Sequence, residues 1–465
     1  TSQNRTGPGG DQCGLSGPHD KNTCQCSADT FQFGMRCVST AKGAAPEDFD
    51  RTQFKTTEFT KGNFLSQIKA DAAYARGYTG YIVNRDENGS LKIVDNSLIS
   101  DEKIKVGVMD NYLDVTHPDL QNNLYKEGGK AVGFNFDYGP CRGGDKTNCY
   151  AMEGNLLVFY NKTVKETLGR LSQTRFDEYA NKYPDNYDWD SGDTKYQVGS
   201  SVNTKTDSFI YTNAVEEDHG THVSGIISAT KNDTEMHGIL PDSTLVFTQA
   251  ILSGELTSRW FLSGKEKYVE LGVKAVNMSW GREEETASDA INKNADDVFS
   301  SYEVEGMKLA QKNGIVVVRA AGNSSEKYHD AILDAGLPLT NTFKPGSEFD
   351  LSNLYISVVS VDKNNKLASY SQPCGSTKGF CLAAPGGDIN RGGIKGMEEW
   401  GIYSTVKNDA EHKGGYGYMQ GTSMAAPVVT GSVALLMSAY PHLTSQQVVQ
   451  ILFQTSDYLE PVSAG

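Results

Sequence analysis

Ile104-Lys105-Val106-Gly107-Val108-Met109-Asp110 is a short run of apolar, mostly β-branched and small residues that closes on a carboxylate. With no charge between Lys105 and Asp110 it reads as a strand buried on both faces, the kind that fills a parallel sheet. Downstream, Leu245-Val246-Phe247, Ala275-Val276-Asn277-Met278, Ile315-Val316-Val317-Val318 and Tyr355-Ile356-Ser357-Val358-Val359 repeat the pattern. Longer helical patterns, such as Asp296 to Lys312, lie between several of these runs. The alternation predicts an α/β fold with a mainly parallel central sheet and helices on both faces. Sites in such sheets form beyond the carboxyl ends of the strands, where Asp110 stands.

The flanking chain divides by composition. Residues 1–40 are rich in Gly, Ser, Thr and Asn, are nearly devoid of aliphatic residues and contain Cys13, Cys24, Cys26 and Cys37. Such a segment has no core of its own without covalent staples, and it reads as a small Cys-rich appendage whose pairing stays open. Residues 41–100 form an N-terminal extension around a helical segment from Phe64 to Arg76, and residues 101–465 form the main domain. An insertion at about 124–213 interrupts that domain; it is Tyr-, Asp- and Asn-rich, holds Cys141 and Cys149, and has a helical portion near Val164 to Tyr179. Loops of this length carry function or structure of their own, and this one is expected at the rim of the site. Its acidic run Asp185, Asp188, Asp190 and Asp193 reads as a solvated face, with cation binding as the rival.

Of 465 residues, 38% are hydrophobic and 22% charged, the proportions of a globular chain and not of a disordered one. The net charge of −15 excludes the electrostatic footprint of a nucleic-acid or anionic-lipid binder. The best apolar run, Val428 to Met437, is interrupted by Thr430, Gly431 and Ser432, so no membrane span is expected. An even number of cysteines in local groups, with Cys141/Cys149 and Cys374/Cys381 as close pairs, points to disulfides and a secreted or cell-surface location. The rival, a zinc knuckle in the first group, lacks the paired ligand spacing. The start at Thr1, without Met or an apolar leader, fits a processed product or a trimmed chain.

Acyl transfer near neutral pH requires a nucleophile, a base, a group that orients the base and donors for the oxyanion. Asp110 is one candidate. His219-Gly220-Thr221-His222-Val223-Ser224-Gly225 places a histidine at the start of an apolar helix, held there by capping. Zinc ligation by His219 and His222 is disfavoured, because the His-Glu-x-x-His spacing is absent. Gly421-Thr422-Ser423-Met424-Ala425-Ala426-Pro427 puts Ser423 at a helix N-terminus with N–H groups and the positive dipole end beside it. In isolation Thr422 or Ser423 is equally an N-cap. Ala320-Ala321-Gly322-Asn323 closes a strand on an amide donor.

Asp, then His, then Ser is the chain order of the subtilases, and at these residues the sequence resembles that family. The resemblance is carried by Val108-Met109-Asp110 with His117-Pro118-Asp119-Leu120, by His219 to Gly225, by Asn277-Met278-Ser279-Trp280-Gly281, by Ala320 to Asn323, by Ala383-Ala384-Pro385-Gly386 and by Gly421 to Pro427. It implies a secreted serine endopeptidase that acts on protein or peptide substrates bound in extended form. Ser423 is then the nucleophile, His219 the general base and acid, Asp110 its orienting carboxylate and Asn323 the oxyanion donor. Ser279, Trp280, Gly281, Ala321 and Gly322 line the substrate cleft. No cofactor is required for catalysis; Asp119 and Asn232 match two positions at which many subtilases hold a structural calcium. Ala72-Ala73-Tyr74-Ala75-Arg76-Gly77-Tyr78-Thr79-Gly80 looks like the entry to the catalytic domain of bacterial autotransporter subtilases. Two departures stand out: Asn111-Tyr112 follows Asp110 where Ser or Thr and then Gly is usual, and Arg319 occupies a strand position that is normally small or apolar. The rival reading, a non-catalytic adhesin or binding module on the same scaffold, predicts loss of a triad residue. A serine esterase predicts Gly-x-Ser-x-Gly with the order Ser, acid, His.

Overall fold

The computed structural model describes residues 51–127, 218–249 and 267–459, apart from positions 96, 111–112, 115–116, 283, 300, 393–395, 409–411 and 458, together with isolated strand segments between 19 and 39 and between 130 and 209. The strands are β1 (Lys105–Asp110), β2 (Phe134–Asn135), β3 (Thr244–Gln249), β4 (Ala275–Met278), β5 (Val316–Ala320), β6 (Tyr355–Val361) and β7 (Cys381–Pro385). They form one seven-stranded sheet in the order β2-β3-β1-β4-β5-β6-β7, and every pairing is parallel. All residues of β4, β5 and β6 are buried, so both faces of the sheet are covered, as the unbroken apolar runs require. Among the described residues the four longer helices are α1 (His219–Ser228), α2 (Ser301–Asn313), α3 (Thr422–Ala439) and α4 (Ser445–Thr455). An antiparallel hairpin, β8 (Ile402–Thr405) with β9 (Tyr416–Met419), packs on α1.

Register positions the site. Met109 of β1 lies beside Met278 of β4, and Met278 beside Arg319 of β5. The residues that follow, Asp110, Ser279 and Ala320, therefore leave the sheet side by side at its carboxyl edge.

Residues 51–103 pack into the core of the main body. Phe59, Phe64, Leu65 and Tyr74 are buried in the same apolar cluster as Val106, Ile226, Ile239 and Val433. The helical pattern from Phe64 to Arg76 forms two short helices, Asn63–Gln67 and Ala70–Ala75, because Lys69 between them adopts φ 59°. Glu58 ties the first of the N-terminal helices down by accepting the N–H groups of Asn232 (2.8 Å) and Thr234 (3.2 Å). Within the insertion, β2 joins the central sheet, and Thr167–Leu168, placed in a helix by the sequence pattern, pairs as a strand with Phe159 and Tyr160. The acidic run at 185–193 and Cys13, Cys24 and Cys141 lie outside the described residues, and the side chains of Cys26, Cys37 and Cys149 are likewise not described. Among the described residues, α3 alone is long and apolar enough to cross a membrane, and it is sunk in the core.

His237 sits against Phe59 and Tyr74 from the N-terminal helices, with Nδ1 donating to the Gly238 carbonyl at 2.8 Å. Burial pushes its pKa down to about 4, so the folded protein keeps it neutral. The unfolded chain, with a histidine pKa of about 6.5, binds that proton first as pH falls. The contribution is therefore present above about pH 6.5 and is lost as pH falls towards 4. In His237→Gln, stability should lose less on acidification than in the parent, by up to about 1.4 kcal/mol per pH unit across that window, as read from urea unfolding at stepped pH.

Candidate active site

Asp110 is the last residue of β1, and its carboxylate is 3% exposed; its Oδ1 lies 2.7 Å from Nδ1 of His219, the first residue of α1. A buried carboxylate next to Nδ1 fixes the proton there, which leaves Nε2 as the nitrogen that accepts one. The imidazole is 32% exposed and therefore open to a reactant. The start of α1 is held differently from the expected cap. Asp218 makes no side-chain bond to the helix; it accepts the Lys407 N–H at 2.8 Å, linking α1 to the segment after β8.

Ser423 is the second residue of α3, after the N-cap Gly421 and Thr422. Its N–H precedes the first intrahelical hydrogen bond and stays at the positive end of the helix. Its Oγ donates to the Ser279 carbonyl at 3.0 Å. Four residues on, Pro427 has no N–H to give to the Ser423 carbonyl. That carbonyl accepts instead from the Ser279 hydroxyl at 2.7 Å, and Ser279 Oγ accepts from Asn277 Nδ2 at 2.8 Å. Asn277 Oδ1 in turn accepts from the Thr430 hydroxyl at 3.0 Å, about two turns beyond Ser423 along α3. Asn323 lies just beyond β5. Its carbonyl accepts the Thr422 N–H at 2.8 Å and the Thr422 hydroxyl at 3.0 Å, which leaves the amide NH2 as its remaining donor.

The sequence thus names residues that the fold brings to one edge: Asp110 with His219, Ser423 with Ser279, and Asn323 with the residue preceding Ser423. Thr422, Asn277 and Thr430 were not singled out as working residues. The signal for Thr422 was its place beside Ser423, and for Ser279 a proline four residues after the serine.

His222, one turn along α1, faces away from a shared metal position: its Nε2 donates to the Ile402 and Gly417 carbonyls at 2.9 and 3.2 Å, and burial lowers its pKa to about 3. Asp119 and Asn232 do meet, but as partners of each other. The Asn232 amide N donates to Asp119 Oδ1 at 2.7 Å, Asn232 Oδ1 accepts the Thr234 N–H at 3.0 Å, and Tyr416 donates to Asp119 Oδ2 at 2.6 Å. With the amide nitrogen turned inward, this pair does not fit calcium, which takes oxygen ligands. No cluster of three or more His, Cys, Asp or Glu suited to a metal occurs among the described residues. Cys374 and Cys381 form the expected disulfide, with Cα atoms 5.9 Å apart. Asn111 and Tyr112 lie outside the described residues.

Arg319 has a structural explanation. Its side chain is 1% exposed, donates to Glu303 Oε1 (3.2 Å), the Trp280 carbonyl (3.2 Å) and the Tyr355 hydroxyl (3.3 Å), and lies 4.3 Å from the centre of the Trp280 ring. Trp280 Nε1 donates to the Met109 carbonyl at 3.1 Å, so the guanidinium and β1 hold the tryptophan between them. Burial, reinforced by the nearby Asp334 charge, pushes the Glu303 carboxyl up to about 7 despite the opposing fields of Arg319 and Arg282.

A sequence model of the subtilase family matches residues 101–464. An extracellular serine protease of Serratia marcescens is 28% identical over 276 residues, covering 51% of this chain and 25% of that protein. The matched stretch is thus about a quarter of that relative's length. Subtilisin DY of Bacillus licheniformis is 31% identical over 242 residues, covering 52% of this chain and 71% of that one. Among solved structures, the epidermin leader peptide processing serine protease of Staphylococcus aureus overlaps 77% of this chain and 72% of its own, at 20% identity and a TM-score of 0.45.

Arg319→Met should lower stability by about 3–5 kcal/mol in denaturant unfolding, because it strands Glu303 in the interior. Combining it with Glu303→Gln should recover most of that loss, giving a clear coupling energy in a double-mutant cycle.

Proposed function

Because the chain belongs to the subtilase family, we propose that it is a serine endopeptidase working through Asp110, His219 and Ser423. The observation that carries this reading is the 2.7 Å contact between a buried carboxylate and His219 Nδ1 at the carboxyl edge of a parallel sheet. For reaction the Ser423 hydroxyl, which here donates to Ser279, rotates to give its proton to His219 Nε2 while Oγ bonds to the scissile carbonyl carbon. Asp110 stabilises the imidazolium that forms. The negative charge on the carbonyl oxygen is met by the Asn323 NH2 and the Ser423 N–H at the head of α3. Collapse of this adduct breaks the C–N bond, and His219 returns the proton to the leaving amine. Water then enters, gives a proton to Nε2, and releases the acid by the reverse sequence.

The substrate is an extended peptide that pairs its backbone with Ser279-Trp280-Gly281, the segment that follows β4. The insertion at about 124–213 and the loop closed by Cys374 and Cys381 narrow the choice of substrate. Disulfide chemistry supports a secreted or cell-surface location, as do relatives named extracellular serine protease and, in Mannheimia haemolytica, serotype-specific antigen 1. The autotransporter-like entry segment at 72–80 is compatible with such a location.

A fluorophosphonate probe should label the parent and leave Ser423→Ala unlabelled; equal labelling of both, or none of the parent, would sink the assignment. Asn323→Ala should lower kcat by roughly 10²–10³ with little change in KM on a peptide substrate, the pattern expected when a donor acts mainly on the transition state.

A further inference from the structure

Asn323 is held at its side chain by α3 and at its backbone by a different segment. Both bonds from Thr422 go to Asn323 Oδ1, and the Gly322 N–H donates to the Thr422 hydroxyl at 3.2 Å. These bonds orient the side-chain amide only as well as the backbone beneath it is fixed. Gly322, the preceding residue, sits at φ +108°, a conformation that glycine adopts readily and other residues rarely do. The turn therefore has no side chain of its own to stiffen it.

The stiffening comes from residues 369–372. The Ser325 N–H donates to the Tyr370 carbonyl at 3.1 Å, and its hydroxyl donates to the Ser369 carbonyl at 2.6 Å. Gln372 reaches the two residues on either side of Asn323. Its main-chain N–H donates to the Gly322 carbonyl at 3.0 Å, and its Oε1 accepts the Ser324 N–H at 3.4 Å. The same oxygen lies against Gly322, where an added Cβ would come within 2.1 Å of it. The glutamine thus occupies the space that a side chain at Gly322 would need.

Gln372 is fully buried and is anchored in its turn. Its Nε2 donates to the Asp330 carbonyl at 2.6 Å, and its main-chain carbonyl accepts the Ser371 hydroxyl at 3.0 Å. A carbonyl only accepts and an N–H only donates, so one orientation of the amide satisfies both Asp330 and Ser324. Asp330 is fixed through its carboxylate, which accepts from Ser376 N (2.7 Å), Ser376 Oγ (2.9 Å) and Ser288 N (2.9 Å). An apolar residue of the same length would fill the space and make neither side-chain bond.

We propose that Gln372 is a positioning residue for the reaction: by bonding to both neighbours of Asn323 it sets the place of the NH2 that meets the oxyanion. The proposal rests on the reading of Ser423 as nucleophile and Asn323 as oxyanion donor. Buried behind the turn, Gln372 acts through Asn323. A misplacement of about 1 Å in a group that works on the transition state costs up to about a hundredfold in rate.

The test measures kcat and KM on one peptide p-nitroanilide for the parent, Gln372→Met, Asn323→Ala and the double variant. Rates are taken per active site, counted by fluorophosphonate labelling run to completion. Gln372→Met should lower kcat by roughly ten- to a hundredfold and leave KM within about twofold. In the Asn323→Ala background the same substitution should change kcat by less than about threefold, because the donor it positions is gone. Gln372→Asn keeps the amide but withdraws it by one methylene, and it is judged by the same two outcomes if the methionine form does not fold. An unchanged kcat, a change confined to KM, or an equal loss with and without the Asn323 amide overturns the positioning role while leaving Ser423 in place. Absence of labelled sites in both Gln372 variants, with the parent labelled, makes Gln372 a residue of stability alone and overturns it too. A parent that does not label overturns the nucleophile and the positioning role together.

Discussion

The burial of α3 is the constraint on which the site depends. Sixteen of its eighteen residues are buried, from Thr422 at its head to Ala439 at its end, and the helix meets α1 and the strands β4, β5, β6 and β7. A helix enclosed on all sides has no charged face, and its sequence between Thr422 and Ala439 contains none of Asp, Glu, Lys or Arg. Its first turn meets the carboxyl edge of the sheet, where Ser423 bonds the Ser279 carbonyl and Thr422 bonds Asn323. Pro427 then turns a local defect into a tertiary link: the carbonyl it leaves unbonded is taken by Ser279, and the chain of bonds through Asn277 returns to the same helix at Thr430. Ser423 is thus tied to β4 through its own carbonyl, with no dependence on a surface loop.

The second determinant is that neighbouring parallel strands end together. β1, β4 and β5 release Asp110, Ser279 and Ala320 at one level, and the segments beyond them become the two walls of the cleft. Holding those walls requires something behind them, and the protein uses charge. Arg319 and Arg282 face Glu303 and Asp334 in a largely buried group, with Arg319 against the back of Trp280. Replacing a whole buried ionic group by apolar residues is often neutral or stabilising, whereas removing one member is not. What the group supplies here is a fixed orientation for Trp280 and Arg282, which an apolar substitute would hold less uniquely.

The long β-branched runs and the dense motifs were legible in the sequence, because strand burial and motif spacing are local properties. The central parallel sheet, the strand end at Asp110, the helix start at His219 and the Cys374–Cys381 disulfide were read in this way. β2 escaped because two residues in a Tyr- and Asp-rich stretch give no periodic signal, and β7 because Ala383-Ala384-Pro385 is weak in strand propensity. The break at Lys69 is a left-handed backbone turn at a residue type that does not announce one. Arg319 was visible as an anomaly, but its partners Glu303 and Tyr355 are 16 and 36 positions away, and no pattern in the chain joins them. The same limit applies to Asp119 and Asn232, named from the sequence as ligands and found bonded to each other.

The supports behind Asn323 belong to that long-range class. Gln372 donates its main-chain N–H to the Gly322 carbonyl at 3.0 Å and its side-chain NH2 to the Asp330 carbonyl at 2.6 Å. Two residues later the Cys374–Cys381 loop begins, and through Ser376 it also holds the Asp330 carboxylate. The stretch from Gln372 through the disulfide-closed loop therefore braces both the segment that carries Asn323 and the segment that carries Ile332. An alteration in that stretch reaches Asn323 and Ile332 together, so the two segments share a support outside Asp110, His219 and Ser423.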